Sequence, residues 1–443
     1  MKSHTYVSIN DLSDHIKYNT HPYVEQFYGS IDVDYFRDPG NPNHAICRHI
    51  LDNRDNTLIV YGGNNPSEFE CILENKDDFE GFCRGVDLAL KSKPYRNVIV
   101  DRQTEALHPG FMHMLNLFGS WMLEHHPDIQ VICISSSFNA PRHQSMVTNV
   151  TMAGIAGFMY GIGNEACDFK NSPSEYTTEV REKAMLNLNR LPKPARVLAM
   201  AKFNQLGMLD QSLTSMSFYH DMVRDWSHKV GSGQYEIARV YGDFYRDRWF
   251  NQSTTAVSEE RISEIALIME SEINRYIIEP GLHTQSWVID NPDVAGTNPA
   301  FLVPEERSMF RRTWFSFINE THTNLYFNIH ELKNDVFLSE KTTKSLFYKH
   351  PFVLFCAPGA LDVLRDMGFK TFDNIIDESY DKITDPLHRL EACVTEAQKL
   401  CKYSHSEWCD IHAKIIDRIE HNSDLITHGN FKLFNFDKPL ELV

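Results

Sequence analysis

The sequence has no apolar run long enough to cross a bilayer, and its amino end, Met1-Lys-Ser-His-Thr-Tyr-Val-Ser8, has no apolar stretch of the secretory kind. No membrane insertion and a cytoplasmic location are therefore expected. Cysteine is present but never paired. The nine thiols fall at 47, 71, 83, 133, 167, 356, 393, 401 and 409, none at the C-x-x-C spacing of a zinc site. Reduced thiols and no structural metal follow. Excess positive charge is missing as well. With 43 Lys and Arg against 60 Asp and Glu, the formal charge of −17 argues against broad attraction to nucleic acid and leaves room only for a local basic groove. Internal repeats and low-complexity tracts are absent.

What remains is an ordinary globular composition, 42% hydrophobic and 23% charged, in a chain of 443 residues, longer than a single core usually grows. Two domains are expected. Thr57-Leu-Ile-Val-Tyr-Gly-Gly63 reads as a buried strand entering a loop, Asp78 to Leu90 as a helix, and Asn97-Val-Ile-Val-Asp101 as a second strand. A helix from about Pro109 to Glu124 and a strand Gln130-Val-Ile-Cys-Ile-Ser135 follow. Strand and helix in alternation predict a parallel sheet with crossover helices over residues 1–180.

The pattern restarts over 181–403. Ala184 to Asn189 reads as a strand and Pro194 to Leu206 as a helix stopped by Gly207. A helix capped by Ser258 carries Ile262, Ile265, Met269 and Ile273 on one face. Ser339 caps a further helix, Pro351 to Cys356 is a buried strand, and Ala360 to Met367 is a short helix ending at Gly368. Asp385-Pro386 opens another helix. Ser404 and Glu407 have capping-box spacing before a final amphipathic helix in the last segment, 404–443. Residues 220–256, rich in aromatics and charge without a period, receive no element.

The segment from Asp335 to Gly359 carries the most chemistry. It sets Glu340, Lys341 and Lys344 in the first turns of a helix, whose free N–H groups and positive end suit a diphosphate that the two lysines would also attract. Glu340 would accept hydrogen bonds from ribose hydroxyls. On the residues alone, a dipole-favoured carboxylate beside two solvated lysines is the commoner explanation.

This stretch resembles the C-terminal donor-binding motif of fucosyltransferase-like glycosyltransferases and of related reading frames in tailed bacteriophages. Ser339-Glu340-Lys341 opens the helix, Pro351 to Cys356 supplies the strand and Pro358-Gly359 the turn. Asn319-Glu320-Thr321 resembles the Glu-Thr that precedes the motif, which adds Glu320 to the donor-binding set. Gly368 to Phe372 and Asp377 to Tyr380 resemble the phage versions. Leu188-Asn-Arg-Leu-Pro-Lys-Pro-Ala-Arg196 resembles the loop that begins the second domain in such proteins, with Ala195 where a histidine is expected. Arg190 and Arg196 there would offer planar, permanent cations to phosphate oxygens; pairing with surface carboxylates is the plainer alternative.

The resemblance spans roughly residues 184 to 421 and implies a GT-B-like α/β fold, two Rossmann-like domains facing a cleft, with C-terminal helices. The C-terminal domain would hold a nucleoside-diphosphate sugar, and no cofactor or metal would be required. An inverting enzyme needs a base on the first domain, after a strand end, where Asp101, Glu105 and His108 qualify. Gly62, Gly63 and Asn64 form a candidate acceptor-side loop. The acceptor is a hydroxyl, either of a hydroxymethylated base in phage DNA, in the cytoplasm of an infected host, or of a glycan, protein or lipid. A nucleotide-binding or structural phage protein without turnover is the main rival reading, and a phosphorylase the next. Gly161 to Ala166 spells a dinucleotide fingerprint, but without a flanking strand and helix it is set aside. His125-His126 and His108 with His113 lack the acidic or thiol partners of a metal site.

Overall fold

The computed structural model describes residues 6–8, 57–61, 76–92, 94–102, 109–135, 137, 138, 140, 149–155, 179–189, 194–216, 259–285, 287, 304–320, 336–428 and 434–436. They form a mixed α/β protein with two largely parallel sheets. Among them no helix is long and apolar enough to cross a membrane.

The first sheet contains β1 (Tyr6–Ser8), β2 (Thr57–Tyr61), β3 (Asn97–Arg102), β4 (Gln130–Ser135) and β5 (Thr151–Ile155), parallel and in chain order. A last strand, β10 (Phe434–Phe436), pairs antiparallel with β5. Helices α1 (Lys76–Ser92) and α2 (Pro109–His125) make the crossovers from β2 to β3 and from β3 to β4. Parallel crossovers are right-handed, so steps taken in one direction put both helices on one face. The core obeys this: Val98, Val100, Val131 and Cys133 pack with Phe82, Phe111 and Phe118 of the helices. Their strand neighbours Ile99, Ile132 and Ile134 point the other way and join the buried cluster of the second sheet.

The second sheet has the order β7-β6-β8-β9, all parallel: β6 (Lys183–Asn189), β7 (Ser212–Met216), β8 (Thr313–Asn319) and β9 (Phe352–Phe355). From β6 the chain steps one way to β7, and β8 then starts on the other side of β6. Crossovers in opposite directions place their helices on opposite faces. Helix α3 (Pro194–Gln205) accordingly covers the face of Phe317, whose ring meets Phe203 edge-on at 4.9 Å. Helix α4 (Glu259–Ile273), although it lies in the return from β7, packs back against α3, while α5 (Pro304–Arg311) and α6 (Glu340–Phe347) pack on β8 from the opposite face. There Trp314 stacks on Trp408 at 5.5 Å.

Short helix α7 (Ala360–Asp366) is bounded by Gly359 and Gly368, at φ 83° and 102°, values that favour glycine. Asp385 caps α8 (Pro386–Cys401) by accepting from the N–H groups of Leu387 and His388. Ser404 and Glu407 form the expected reciprocal box at the start of α9 (His405–His428). Lys202 of α3 lies 2.6 Å from Glu272 of α4 and 3.2 Å from Glu391 of α8, binding three helices on one face. Ile265, Met269 and Ile273 are buried on α4 as their spacing predicts; Ser258 and the side chain of Ile262 lie outside the described residues, as do 220–256. The helix continues as one π-turn, Asn274–Ile278. Strands β1, β5, β7, β8 and β10 and helix α5 are additions to the sequence reading.

Candidate functional site at the strand-order reversal

Open α/β sheets bind ligands outside the carboxyl ends of their strands where the strand order reverses. In this molecule that place is between β6 and β8, whose last residues are Asn189 and Asn319. The register that pairs Lys183 with Thr313 and Met185 with Phe315, continued to the strand ends, sets Asn189 beside Asn319. Asn187 and Asn189 point to the same face, two residues apart, and both are fully buried. Asn189 Nδ2 donates to Asn187 Oδ1 at 2.5 Å, and Asn319 Nδ2 reaches the carbonyl of Ala195 in the first turn of α3 at 3.5 Å. Three atoms of this trio have no partner: Asn187 Nδ2, Asn189 Oδ1 and Asn319 Oδ1. Buried amide atoms are nearly always hydrogen-bonded, to protein, to internal water or to a ligand, which makes three such atoms side by side the feature to explain here. Arg196, also in the first turn of α3, is 3% exposed.

The amino end of α6 flanks the reversal from the other face. Ser339 caps it, accepting from Lys341 N at 3.4 Å. Glu320, one residue past β8 and 1% exposed, accepts from Ser339 N at 2.9 Å and from the Thr342 hydroxyl at 2.6 Å. Lys341 folds back so that Nζ donates to Ser339 Oγ at 2.9 Å, 4.0 Å from Glu320 Oε2. Lys344 is buried. Glu320 thus supplies part of the negative charge that a helix start attracts. The first sheet meets this point too: Ser137, just beyond β4, forms an antiparallel bridge with Phe337, just before the Ser339 cap.

The rest of the second sheet is tied by buried polar contacts. Arg389 of α8 is buried and donates through Nε to the Cys356 carbonyl at 2.9 Å and through Nη1 to that of Ile383 at 2.6 Å. Asp381 accepts from Leu361 N at 3.2 Å, and burial pushes its carboxyl up to about 6. His350 Nε2 donates to the Thr313 carbonyl and Nδ1 accepts from the Ser316 hydroxyl, both at 2.7 Å, because a carbonyl can only accept. Burial, helped by the nearby Arg181 cation, pushes this imidazole down to about 3. Cys356 and Cys393 are enclosed, and burial holds both thiols well above their usual range. Glu378, in the stretch Asp377 to Tyr380, accepts from Phe372 N at 2.6 Å and Thr371 Oγ1 at 2.9 Å; it organises a loop.

The structure therefore brings Arg196, Glu320 and Lys341 to the amino ends of α3 and α6, the two helices that border the reversal; Lys344 lies instead in the last turn of the eight-residue α6, one turn further from the strand ends than expected. Glu340 is the first residue of α6, and Asp101 sits within β3, paired with Tyr61 and Ile134; their side chains lie outside the described residues. Gly62, Gly63, Asn64, Glu105, His108, Arg190 and the segment 161–166 are likewise outside them. His113 is exposed on α2, and His126 Nε2 lies 3.2 Å from Asp87 Oδ1 of α1. Among the described residues no three His, Cys, Asp or Glu side chains gather in a metal-sized group. Sequence reading missed Asn187, Asn189 and Asn319 as site residues. Two asparagines at i and i+2 in a strand buried on both faces were the available signal. No protein-family model matches the sequence, and no curated protein matches it.

Proposed function

We propose that the chain is a glycosyltransferase that moves a sugar from a nucleoside-diphosphate sugar to a hydroxyl acceptor, in a GT-B-like arrangement with the donor on the second sheet. The observation that supports it best is the reversal between β6 and β8, where Arg196 and the amino end of α3 adjoin buried amides without partners. A departing diphosphate gains charge in the transition state, and a fixed guanidinium beside helix N–H groups lowers that barrier. Arg190, Lys341 and Lys344 extend the positive field, and Glu340 takes the ribose. The base is one of Asp101, Glu105 and His108, brought to the acceptor from the first sheet. A hydroxymethylated base of phage DNA is one acceptor of this chemistry.

A second reading, a nucleotide-binding or structural protein without turnover, is favoured by one observation: Ser339 and Glu320 already occupy the start of α6. Thermal-shift measurements with nucleoside diphosphates and their sugars, on wild type, Arg196→Ala and Lys341→Ala, test both. A native-state ligand raises the melting temperature. Stabilisation by one nucleotide, lost in Arg196→Ala and followed by release of the free diphosphate when acceptor is added, is the expected result. Stabilisation without release favours a nucleotide-binding protein without turnover, and no response to any nucleotide overturns the glycosyltransferase reading and leaves the structural one.

A further inference from the structure

The atoms left without partners at the ends of β6 and β8 are of a kind that phosphate cannot satisfy. Asn319 faces the Ala195 carbonyl at 3.5 Å, and a carbonyl only accepts, so Nδ2 is the atom turned toward it and the atom left over is the acceptor Oδ1. Asn187 and Asn189 share one bond and leave one donor and one acceptor; exchanging both amides leaves the same pair. The inventory is two acceptors and one donor, all buried. Phosphate oxygens only accept, so they can answer the single donor and neither acceptor. A hydroxyl group donates and accepts at once. Adjacent strands lie about 4.8 Å apart, so Asn189 and Asn319 fall within reach of neighbouring hydroxyls on one ring.

Resting on the glycosyltransferase reading, we propose that Asn187, Asn189 and Asn319 form a subsite that reads the vicinal hydroxyls of a sugar ring, beside the cationic subsite of Arg196. The ring is either the transferred sugar or the ribose of the nucleotide. The cluster is kept polar for this purpose at the expense of stability, because an apolar side chain of similar shape would remove an unsatisfied group.

Isothermal titration calorimetry of the full chain separates the sources. The probes are GDP, UDP and ADP, their 2′-deoxy counterparts, and GDP-mannose, UDP-glucose and ADP-glucose, titrated into wild type, Asn319→Leu and Asn189→Ser. Wild type is expected to prefer one hydroxyl-bearing form by about 10–100-fold. Preference for the sugar nucleotide over the diphosphate identifies the transferred sugar; preference for the ribo form over the 2′-deoxy form identifies the ribose. Both variants are expected to erase that preference, keep the affinity for the form lacking the hydroxyls, and, for Asn319→Leu, melt no lower than wild type. Should Asn319→Leu fail to fold, Asn189→Ser, a smaller change, carries the same comparison. If the variants retain the preference, or lose affinity for every probe equally, the trio holds internal water only and the subsite is overturned while the glycosyltransferase reading stands. If wild type binds none of the probes, that reading falls and takes the subsite with it.

Discussion

In the first sheet the parallel strands follow chain order from β1 to β5, whereas in the second β8 begins on the far side of β6. In β3 and β4 of the first sheet Val, Ile and Cys fill both faces, and the fully buried polar residue at the end of β4 is a single hydroxyl, Ser135. At the reversal in the second sheet, the strand ends carry three buried amides, Asn187, Asn189 and Asn319. The difference shows what a change of direction does. A sheet wound one way has all its helices on one face, and its strand ends offer no gap between two helices. A sheet wound both ways sets the amino ends of α3 and α6 on its two faces, flanking the carboxyl ends of β6 and β8.

The comparison breaks most sharply if the two sheets are independent bodies. Phe118→Ala under the first and Trp408→Ala under the second should each cost about 3–5 kcal/mol. Because Ile99, Ile132 and Ile134 share the second sheet's cluster, both variants should shift one common transition in urea. Two transitions, each moved by only one variant, would show separate cores. Next, Arg196→Ala should lower turnover of the sugar nucleotide by about 10–100-fold. Asn97→Ala, at the opposite end of β3, should leave it unchanged, and equal losses would deny that the reversal is special.

Acid sensitivity should belong to the second sheet. His350 stays neutral in the fold down to about pH 3, while the unfolded chain takes the proton near its ordinary value of about 6.5. Unfolding therefore takes up a proton between those limits, and stability present at pH 7 is lost on acidification. The loss is about 2 kcal/mol from pH 7 to pH 5. Asp381, raised to about 6, works in the opposite sense over part of that range, so the measurement is the difference between wild type and His350→Gln. A difference that does not change with pH would refute it. The smallest effect is expected from Ser404→Ala, which removes the capping box of α9 and costs about 1 kcal/mol in urea denaturation.

Much of the fold was legible because its strands and caps follow local rules. Asp385-Pro386, the Ser404–Glu407 pair and Ser339 each declare a helix start within four residues, and Gly207 and Gly368 declare ends. β8 was overlooked although Thr313-Trp-Phe-Ser-Phe-Ile-Asn319 is rich in strand-forming residues, because Ser316 breaks the continuous apolar run by which β3, β4 and β9 are read and no polar alternation replaces it. β7, Ser-Leu-Thr-Ser-Met, hid behind polar residues whose hydroxyls are satisfied internally, as Ser212 is by Thr214 at 2.8 Å and by the Leu209 carbonyl. The site was legible in its charges and not in its amides. Arg196 and Lys341 stand out in any reading for phosphate. The asparagines matter only once strand order is known, and order is set by crossovers that no local pattern encodes.

Strand β10 has a consequence for synthesis. It closes the open side of β5, yet its residues, Phe434 to Phe436, leave the ribosome some 280 residues after Ile155. During that interval the first sheet waits with an unsatisfied ladder of N–H and C=O groups, a template onto which a foreign strand can add. A chain cut short before residue 434 should therefore associate through the β5 edge even though every element of the second sheet has already been made.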